Sequence, residues 1–178
     1  MTISSGDTLP TATLLRIGAD GPETVDLGAR LKGRKTVIFG LPGAFTRTCS
    51  SAHVPSFIRT RAAFEAKGVQ DIICVSVNDP FVMHAWGESS GANAAGLSFL
   101  ADSGAEFTKA IGMNFPAPAV GFFDRSVRYA LYAEDGVVQV LHREESPGVC
   151  EASAGEALLA AIADIAAGRA VTPGRSGG

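Results

Sequence analysis

The 178 residues contain no Cys-x-x-Cys pair and only three cysteines, Cys49, Cys74 and Cys150. An odd count without metal-type spacing argues against a disulfide framework or a zinc ribbon. It fits a reducing compartment in which thiols stay free, so a cytoplasmic location is expected. No block of Lys or Arg occurs in a chain of net charge -3, which argues against nucleic acid or an anionic membrane as the main partner. No apolar run approaches the ~20 residues of a membrane span. The opening MTISSGDTLP has neither a basic start nor an apolar core, so no signal peptide is read there. Internal repeats and linkers are also lacking. Gly87 to Gly96 is rich in Gly and Ser but has no phosphate-cradling spacing, and reads as a surface loop.

What is present suffices for one domain, since 46% of the residues are hydrophobic. Thr11 to Leu27 reads as a hairpin turning at Ala19-Asp20-Gly21-Pro22. Lys35 to Phe39 and Asp71 to Val77 are apolar runs of the kind buried on both faces of a sheet. Between them, Thr48 to Lys67 carries Ala52, Phe57, Ile58 and Phe64 near helical spacing, with Gly68 as the stop. Asp79 and Pro80 form an N-cap and first helical position, and Met83 and Trp86 at helical spacing read as packing residues. Leu97 to Leu100 is a further strand, and Ala101 to Met113 a short helix opened by Asp102 or Ser103. Arg128 to Ala133 and Val137 to His142 flank Glu134-Asp135-Gly136, a hairpin signal. Ser153 with Glu156 reads as a capping box for a last helix running to about Ala167. The alternation predicts an α/β layered domain with a mixed sheet over residues 1–167, followed by a disordered tail over 168–178.

Chemistry concentrates at LPGAFTRTC, Leu41 to Cys49. The chain leaves a buried strand, turns through Pro42-Gly43, and places Cys49 at a helix start. Unpaired N–H groups and the positive end of the helix dipole favour a thiolate there, and Arg47 is a nearby cation. Three residues before Cys49 stands Thr46 rather than a second cysteine. A hydroxyl cannot form a disulfide, but it can bond to a small polar molecule held beside the sulfur. One sulfur and one hydroxyl suit attack on such a substrate better than dithiol exchange.

Pro42-Gly43-Ala44-Phe45-Thr46-Arg47-Thr48-Cys49 matches the peroxiredoxin pattern Pro-x-x-x-Thr-x-x-Cys. With VIFGLPGAFTRTCSSAHVPSF, IICVSVNDPFVMHAWG and RSVRYALYAEDGVVQVL, the chain resembles the type II, or fifth, peroxiredoxin subfamily over roughly residues 3 to 165. The resemblance implies a thioredoxin-like, three-layer fold with a central mixed β-sheet flanked by helices. It implies a thiol-specific peroxidase that acts on hydrogen peroxide and organic hydroperoxides through a sulfenic acid and uses no metal or organic cofactor. Glutathione with glutaredoxin, or thioredoxin, would be the reductant, and the enzyme would form a homodimer. Cys49 corresponds to the peroxidatic cysteine, Thr46 to the threonine that bonds sulfur and peroxide, and Pro42 to the proline that shields the sulfur. A strand arginine completes the set; Arg128 is the better match and Arg125 its rival. Cys150, in a Pro-Gly loop, and Cys74, inside a strand, are the candidate resolving thiols, and Cys74 alternatively reads as a core residue. His53, four residues after Cys49, has the spacing of a Cys–His pair or a metal ligand. Pro55 interrupts that geometry and His84 and His142 lie in unrelated segments, so no metal site is expected.

Overall fold

The structure, a computed structural model, describes residues 2–168. In chain order its elements are β1 (Thr13–Gly18), β2 (Gly21–Asp26), α1 (Leu27–Leu31), β3 (Lys35–Gly40), a π-helical turn (Cys49–His53), α2 (Val54–Ala66), β4 (Asp71–Ser76), α3 (Pro80–Ser89), β5 (Ser98–Ala101), α4 (Glu106–Ala110), β6 (Asn114–Ala117), a 3-10 turn (Pro118–Val120), β7 (Phe122–Ser126), β8 (Tyr129–Glu134), β9 (Val137–Arg143) and α5 (Gly155–Ala166). The tail expected to be disordered lies, apart from Gly168, outside the described residues.

The two most apolar runs, KTVIFG and DIICVS, take the centre of the sheet because both of their faces need cover. β3 and β4 pair in parallel, with Ile38 opposite Ile73 and Phe39 opposite Cys74. β5 continues the parallel set beyond β4, whereas β8 lies antiparallel on the other side of β3. The seven-stranded order is β2-β1-β5-β4-β3-β8-β9, and β6 and β7 form a separate hairpin. Successive side chains alternate between two cores. Val37, Phe39, Ile72 and Cys74 join Phe57 and Phe64 of α2, Met83 and Trp86 of α3, and Leu158 and Ile162 of α5 on one face. Ile38, Ile73 and Val75 join Leu27 and Leu31 of α1 and Phe107 of α4 on the other. The expected three-layer α/β architecture is thus present.

Local signals hold where they are short-range. The Asp79 carboxylate accepts from Val82 N at 2.9 Å, with Pro80 opening α3. Gly68, at φ 87°, closes α2 from the left-handed region. Asp135 and Gly136, at φ 51° and 75°, turn β8 into β9. The first hairpin turns on Ala19-Asp20 alone, with Gly18 paired to Gly21; Pro22 lies inside β2, an edge strand where a missing N–H costs least.

Three local expectations fail. Ser153 does not cap α5: its N–H and hydroxyl both bond Oε1 of buried Glu144, Ala154 takes the cap position without a side-chain bond, and Glu156 pairs with Arg59 instead. α4 opens later than Asp102 or Ser103, at Glu106 after left-handed Ala105. Asp102 still serves it from a distance, accepting from Thr108 N at 2.8 Å and Thr108 Oγ1 at 2.7 Å. Gly87, Glu88 and Ser89, expected in a surface loop, form the last turn of α3, where Gly87 is buried against the Asn93 side chain. The sequence reading also omitted α1 and the β6–β7 hairpin. One is a five-residue helix, and the other contains Pro116 and a register shift, so neither carries a clear period.

α2 and α5 cross at Gly155, whose N–H donates to Ser56 Oγ at 3.0 Å. A Cβ there would stand 2.6 Å from the Ser56 carbonyl oxygen and 2.5 Å from Thr60 Oγ1. Backbone cannot yield as a flexible side chain can, so Gly155→Ala should destabilise the fold by about 1–3 kcal/mol. Urea unfolding of the reduced protein measures this; an unchanged midpoint would show that the crossing relaxes freely.

Candidate active site

β3 ends at Gly40, where the Tyr129 ring occupies the space a Cβ would need. The chain then runs through Leu41 to Thr48 as an irregular loop held from three directions. Asn78 Oδ1, itself bonded by Ser76 Oγ, accepts from Ala44 N at 3.0 Å. Arg125 Nη1 donates to the carbonyl of buried Pro42 at 3.1 Å. The Thr46 hydroxyl donates to Gly43 O at 2.7 Å, so toward any ligand it presents lone pairs. A Cβ on Gly43 would displace the Arg125 guanidinium from its place beside Pro42. Phe45 adopts φ 62° and is 56% exposed, a left-handed conformation unusual for a bulky residue.

Helical geometry begins beneath this loop, where Ser50 N donates to Thr46 O at 3.0 Å. Cys49 opens the wide π-helical turn, which closes through Val54 N to Cys49 O. Trp86 Nε1 of α3 donates to Ser50 Oγ at 3.0 Å, and so ties that turn to the neighbouring helix. Pro55 at the start of α2 lacks an N–H, which suits the change of winding.

Arg128 joins the site from across the sheet. It directly precedes β8, on the face shared by Ala130 and Tyr132, which is the Cys49 face. The whole side chain is buried, at 1% exposure. Nη2 donates to Cys49 Sγ at 3.2 Å and to Pro147 O at 3.0 Å, and Nη1 donates to His53 Nδ1 at 3.0 Å. Among the described residues no carboxylate lies within ion-pair distance of Arg128. Arg47, expected as a helping cation, is exposed; the cation in contact with the sulfur is Arg128. Arg125 instead braces Pro42 and lies 4.8 Å over the Phe122 ring. The structure therefore brings Cys49 and Arg128 into contact, sets Pro42 and Thr46 in the loop that leads to them, and braces that loop with Arg125 of β7.

His53 does not pair with Cys49 directly. Its Nε2 lies 3.1 Å from Ser153 O and its Nδ1 faces Arg128. Burial, and then the Arg128 cation, hold it well below the usual imidazole range. Its spacing from Cys49 had suggested a partner for the sulfur; nothing local could show that the partner is an arginine 75 residues away. Glu144, which sequence reasoning did not single out, is 2% exposed and gathers Glu151 N, Ser153 N and Ser153 Oγ on one carboxylate oxygen. It thereby shapes the segment that carries Cys150.

The other two thiols differ in kind. Cys74 lies fully buried on the Cys49 face of β4, where burial pushes its thiol well above the ordinary value and the charge of Cys49 adds to this. Cys150 is half-buried, 4.0 Å from Ser153 Oγ, and burial raises it too. Its loop is tied to the site by Pro147 O on Arg128 and by Gly148 O, which accepts from Thr48 Oγ1 at 3.3 Å. All three cysteines are free. Among the described residues no group of three or more His, Cys, Asp or Glu is placed to hold a metal ion. A cation aimed at a sulfur in a dry setting stabilises charge on that sulfur and on an atom bonded to it, the arrangement needed for nucleophilic attack by a thiolate.

This construction, a sulfur at a strand–loop–helix junction of a three-layer fold, is that of the thioredoxin-like redoxins, and the Redoxin family model matches residues 4–159. The chain is 48% identical over 163 residues to the chloroplastic peroxiredoxin-2E-2 of Oryza sativa subsp. japonica, covering 89% of this chain and 72% of that one. It is 44% identical to peroxiredoxin-2C of the same plant, over 90% of this chain and 98% of the relative. Among solved structures, reduced Prx3 of Vibrio vulnificus in complex with hydrogen peroxide superposes with a TM-score of 0.83 at 43% identity, over 90% of this chain and 99% of that one. The chain belongs to the peroxiredoxins, within the type II group, and is a thiol-dependent peroxidase.

Contact geometry ranks the two arginines. Arg128→Lys replaces a planar fork by a point charge that cannot serve sulfur, histidine and carbonyl together, and kcat/KM for peroxide should fall by roughly 10²-fold or more. Arg125→Lys, which loosens one loop bond, should stay within about tenfold. Stopped-flow peroxide reduction measures both, and the opposite ranking would transfer the role to Arg125.

Proposed function

We propose that Cys49 is the nucleophile of this peroxidase and that hydrogen peroxide and small organic hydroperoxides are its substrates. The 3.2 Å contact between Arg128 Nη2 and Cys49 Sγ carries this reading. The thiolate attacks one peroxide oxygen and the O–O bond breaks. Sulfur becomes sulfenic acid, and the other oxygen leaves as hydroxide or alkoxide and takes a proton to give water or an alcohol. Negative charge thus moves from sulfur toward the leaving oxygen, and a fixed donor beside the sulfur stabilises the charge as it moves. Arg128 is that donor. Thr46, whose proton is committed to Gly43 O, offers its oxygen to the peroxide O–H and fixes which oxygen faces the sulfur. Pro42, buried and anchored by Arg125, keeps the loop closed over a sulfur with no solvent exposure, which favours small substrates.

Regeneration falls to an external thiol. A first thiol condenses with the sulfenic acid and releases water; a second reduces the mixed disulfide and returns Cys49. Glutathione with glutaredoxin is the preferred donor and thioredoxin the alternative. Cys74 is a poor internal rival because its strand is central and its thiol is pushed toward the protonated form. Cys150 would have to bring its Cα within about 4.4–6.8 Å of that of Cys49, and its loop must first release Arg128 and Thr48. A homodimer packed near the active-site loops is part of the proposal, supported by exposed Phe45 in the loop that leads to Cys49. So is a cytoplasmic location, in keeping with three free thiols.

Cys49→Ser should abolish peroxide consumption while the fold persists; turnover in that variant would end the reading. With peroxide, glutathione and glutaredoxin, Cys74→Ser, Cys150→Ser and the double variant should keep most of the activity. Loss in Cys150→Ser, together with a Cys49–Cys150 disulfide in the oxidised wild type by mass spectrometry, would replace the external route by an internal one. Running the same assay with thioredoxin in place of glutaredoxin ranks the donors.

For Thr46, serine retains the oxygen and valine removes it. Thr46→Val should therefore lower kcat/KM by roughly 10²–10³-fold and Thr46→Ser far less. Equal rates in the two variants would take the hydroxyl out of the mechanism.

A further inference from the structure

The His53 side chain has no exposed surface, packs against the stacked pair Phe39 and Phe57 with ring centroids 5.0 and 5.6 Å away, and makes two polar contacts. Those contacts determine its protonation by geometry. Ser153 O, at 3.1 Å, can only accept, so Nε2 carries a proton. A guanidinium N–H can only donate, so Nδ1, 3.0 Å from Arg128 Nη1, carries none. The ring is therefore neutral, in agreement with the lowering caused by burial and Arg128.

We propose that His53 is a positioning residue for the peroxidase reaction, whose Nδ1 sets the plane and reach of the Arg128 guanidinium so that Nη2 meets the Cys49 sulfur. The inference rests on the functional reading above and adds to it the device that aims the arginine. A buried arginine is usually oriented by a carboxylate, which would bind it more firmly. A carboxylate here would also neutralise it and weaken its field at the sulfur. Neutral imidazole fixes the direction of the fork and leaves the positive charge to the sulfur and the departing oxygen. His53 also lies one π-helical turn from Cys49, so nucleophile and aiming group are carried by the same five residues, while Arg128 arrives from the sheet. Through Nε2 the ring is registered against Ser153, at the entry to α5.

The two ring nitrogens can be removed separately. An asparagine amide stands near the place of Nδ1 and can accept from Arg128, but it is too short to reach Ser153 O. A glutamine amide reaches the place of Nε2 and can donate to Ser153 O, but offers nothing at Nδ1. With reduced protein and hydrogen peroxide in stopped flow, His53→Asn should keep kcat/KM within a few-fold of wild type. His53→Gln should lose roughly 10–100-fold, the size expected for one charge-assisted hydrogen bond. Thermal stability should rank the other way, because the glutamine variant keeps the tie to α5. In an Arg128→Met background, His53→Gln should have little further effect on rate. Rates that follow thermal stability in both variants, or full additivity with Arg128→Met, would reduce His53 to a packing residue and overturn the proposal.

Nitrogen-15 spectra of the wild-type histidine rings give a reading that needs no variant to fold. His53 should show a proton on Nε2 and none on Nδ1; a proton on Nδ1 would also overturn the proposal. A wild-type chain that consumes no peroxide would instead end the functional reading, and this inference with it.

Discussion

A buried arginine without a carboxylate is the constraint on which the site depends. An unpaired cation in a protein interior is costly unless its donors are satisfied and an opposite charge is near. Arg128 meets that requirement at its two terminal nitrogens, with a sulfur, an imidazole nitrogen and a backbone carbonyl, while its buried Nε has no hydrogen-bond partner among the described residues. Two of these acceptors are uncharged, and the third becomes charged only as a thiolate. The Cys49 sulfur is thus the one contact of Arg128 able to carry the opposite charge. Each acceptor comes from a different part of the chain or a different point in a turn, so the same contact that prepares the chemistry also holds the π-helical turn, the start of β8 and the 146–148 loop together.

The sheet makes this convergence reliable. β3 and β8 are hydrogen-bonded neighbours, with Gly40 opposite Tyr129, so the loop leaving β3 and the arginine entering β8 start from adjacent points. Strand alternation then turns Arg128 toward the layer of α2, α3 and α5 and sends Tyr129 to the opposite core. The surrounding ties restrain the loop and the turn that follows it from several sides: Asn78 from the end of β4 and Arg125 from β7 on the loop, Trp86 from α3 on the turn. Catalytic geometry of this kind tolerates little misplacement, and anchoring a loop from rigid elements supplies the needed precision.

The same distribution explains the unequal positions of the three thiols. Cys49 lies at a junction where backbone winding changes and a cation is in contact. Cys74 lies in the middle of the sheet, where burial favours the neutral thiol. Cys150 lies in a segment organised by Glu144 and Arg128, so its freedom to approach Cys49 is coupled to the integrity of the site. Reactivity here follows environment more than residue type.

Sequence alone determined what depends on neighbours in the chain. Apolar runs placed the central strands, Asp79-Pro80 opened α3, Asp135-Gly136 turned the last hairpin, and Pro42, Thr46 and Cys49 stood together as one motif. These signals are local, because a cap, a turn or a strand period is complete within a few residues. Tertiary structure decided what requires two distant segments to meet. Arg128 rather than Arg125 touches the sulfur because of strand register and face, which a spacing of three residues does not encode. His53 serves the arginine rather than the cysteine because Arg128 enters from another strand. Ser153 leaves its expected cap because the buried carboxylate of Glu144, nine residues upstream, takes both its N–H and its hydroxyl. In each case the competing partner lies outside the local element and is dry in the fold, where an unsatisfied polar group costs most, and so tertiary contact prevails over local preference.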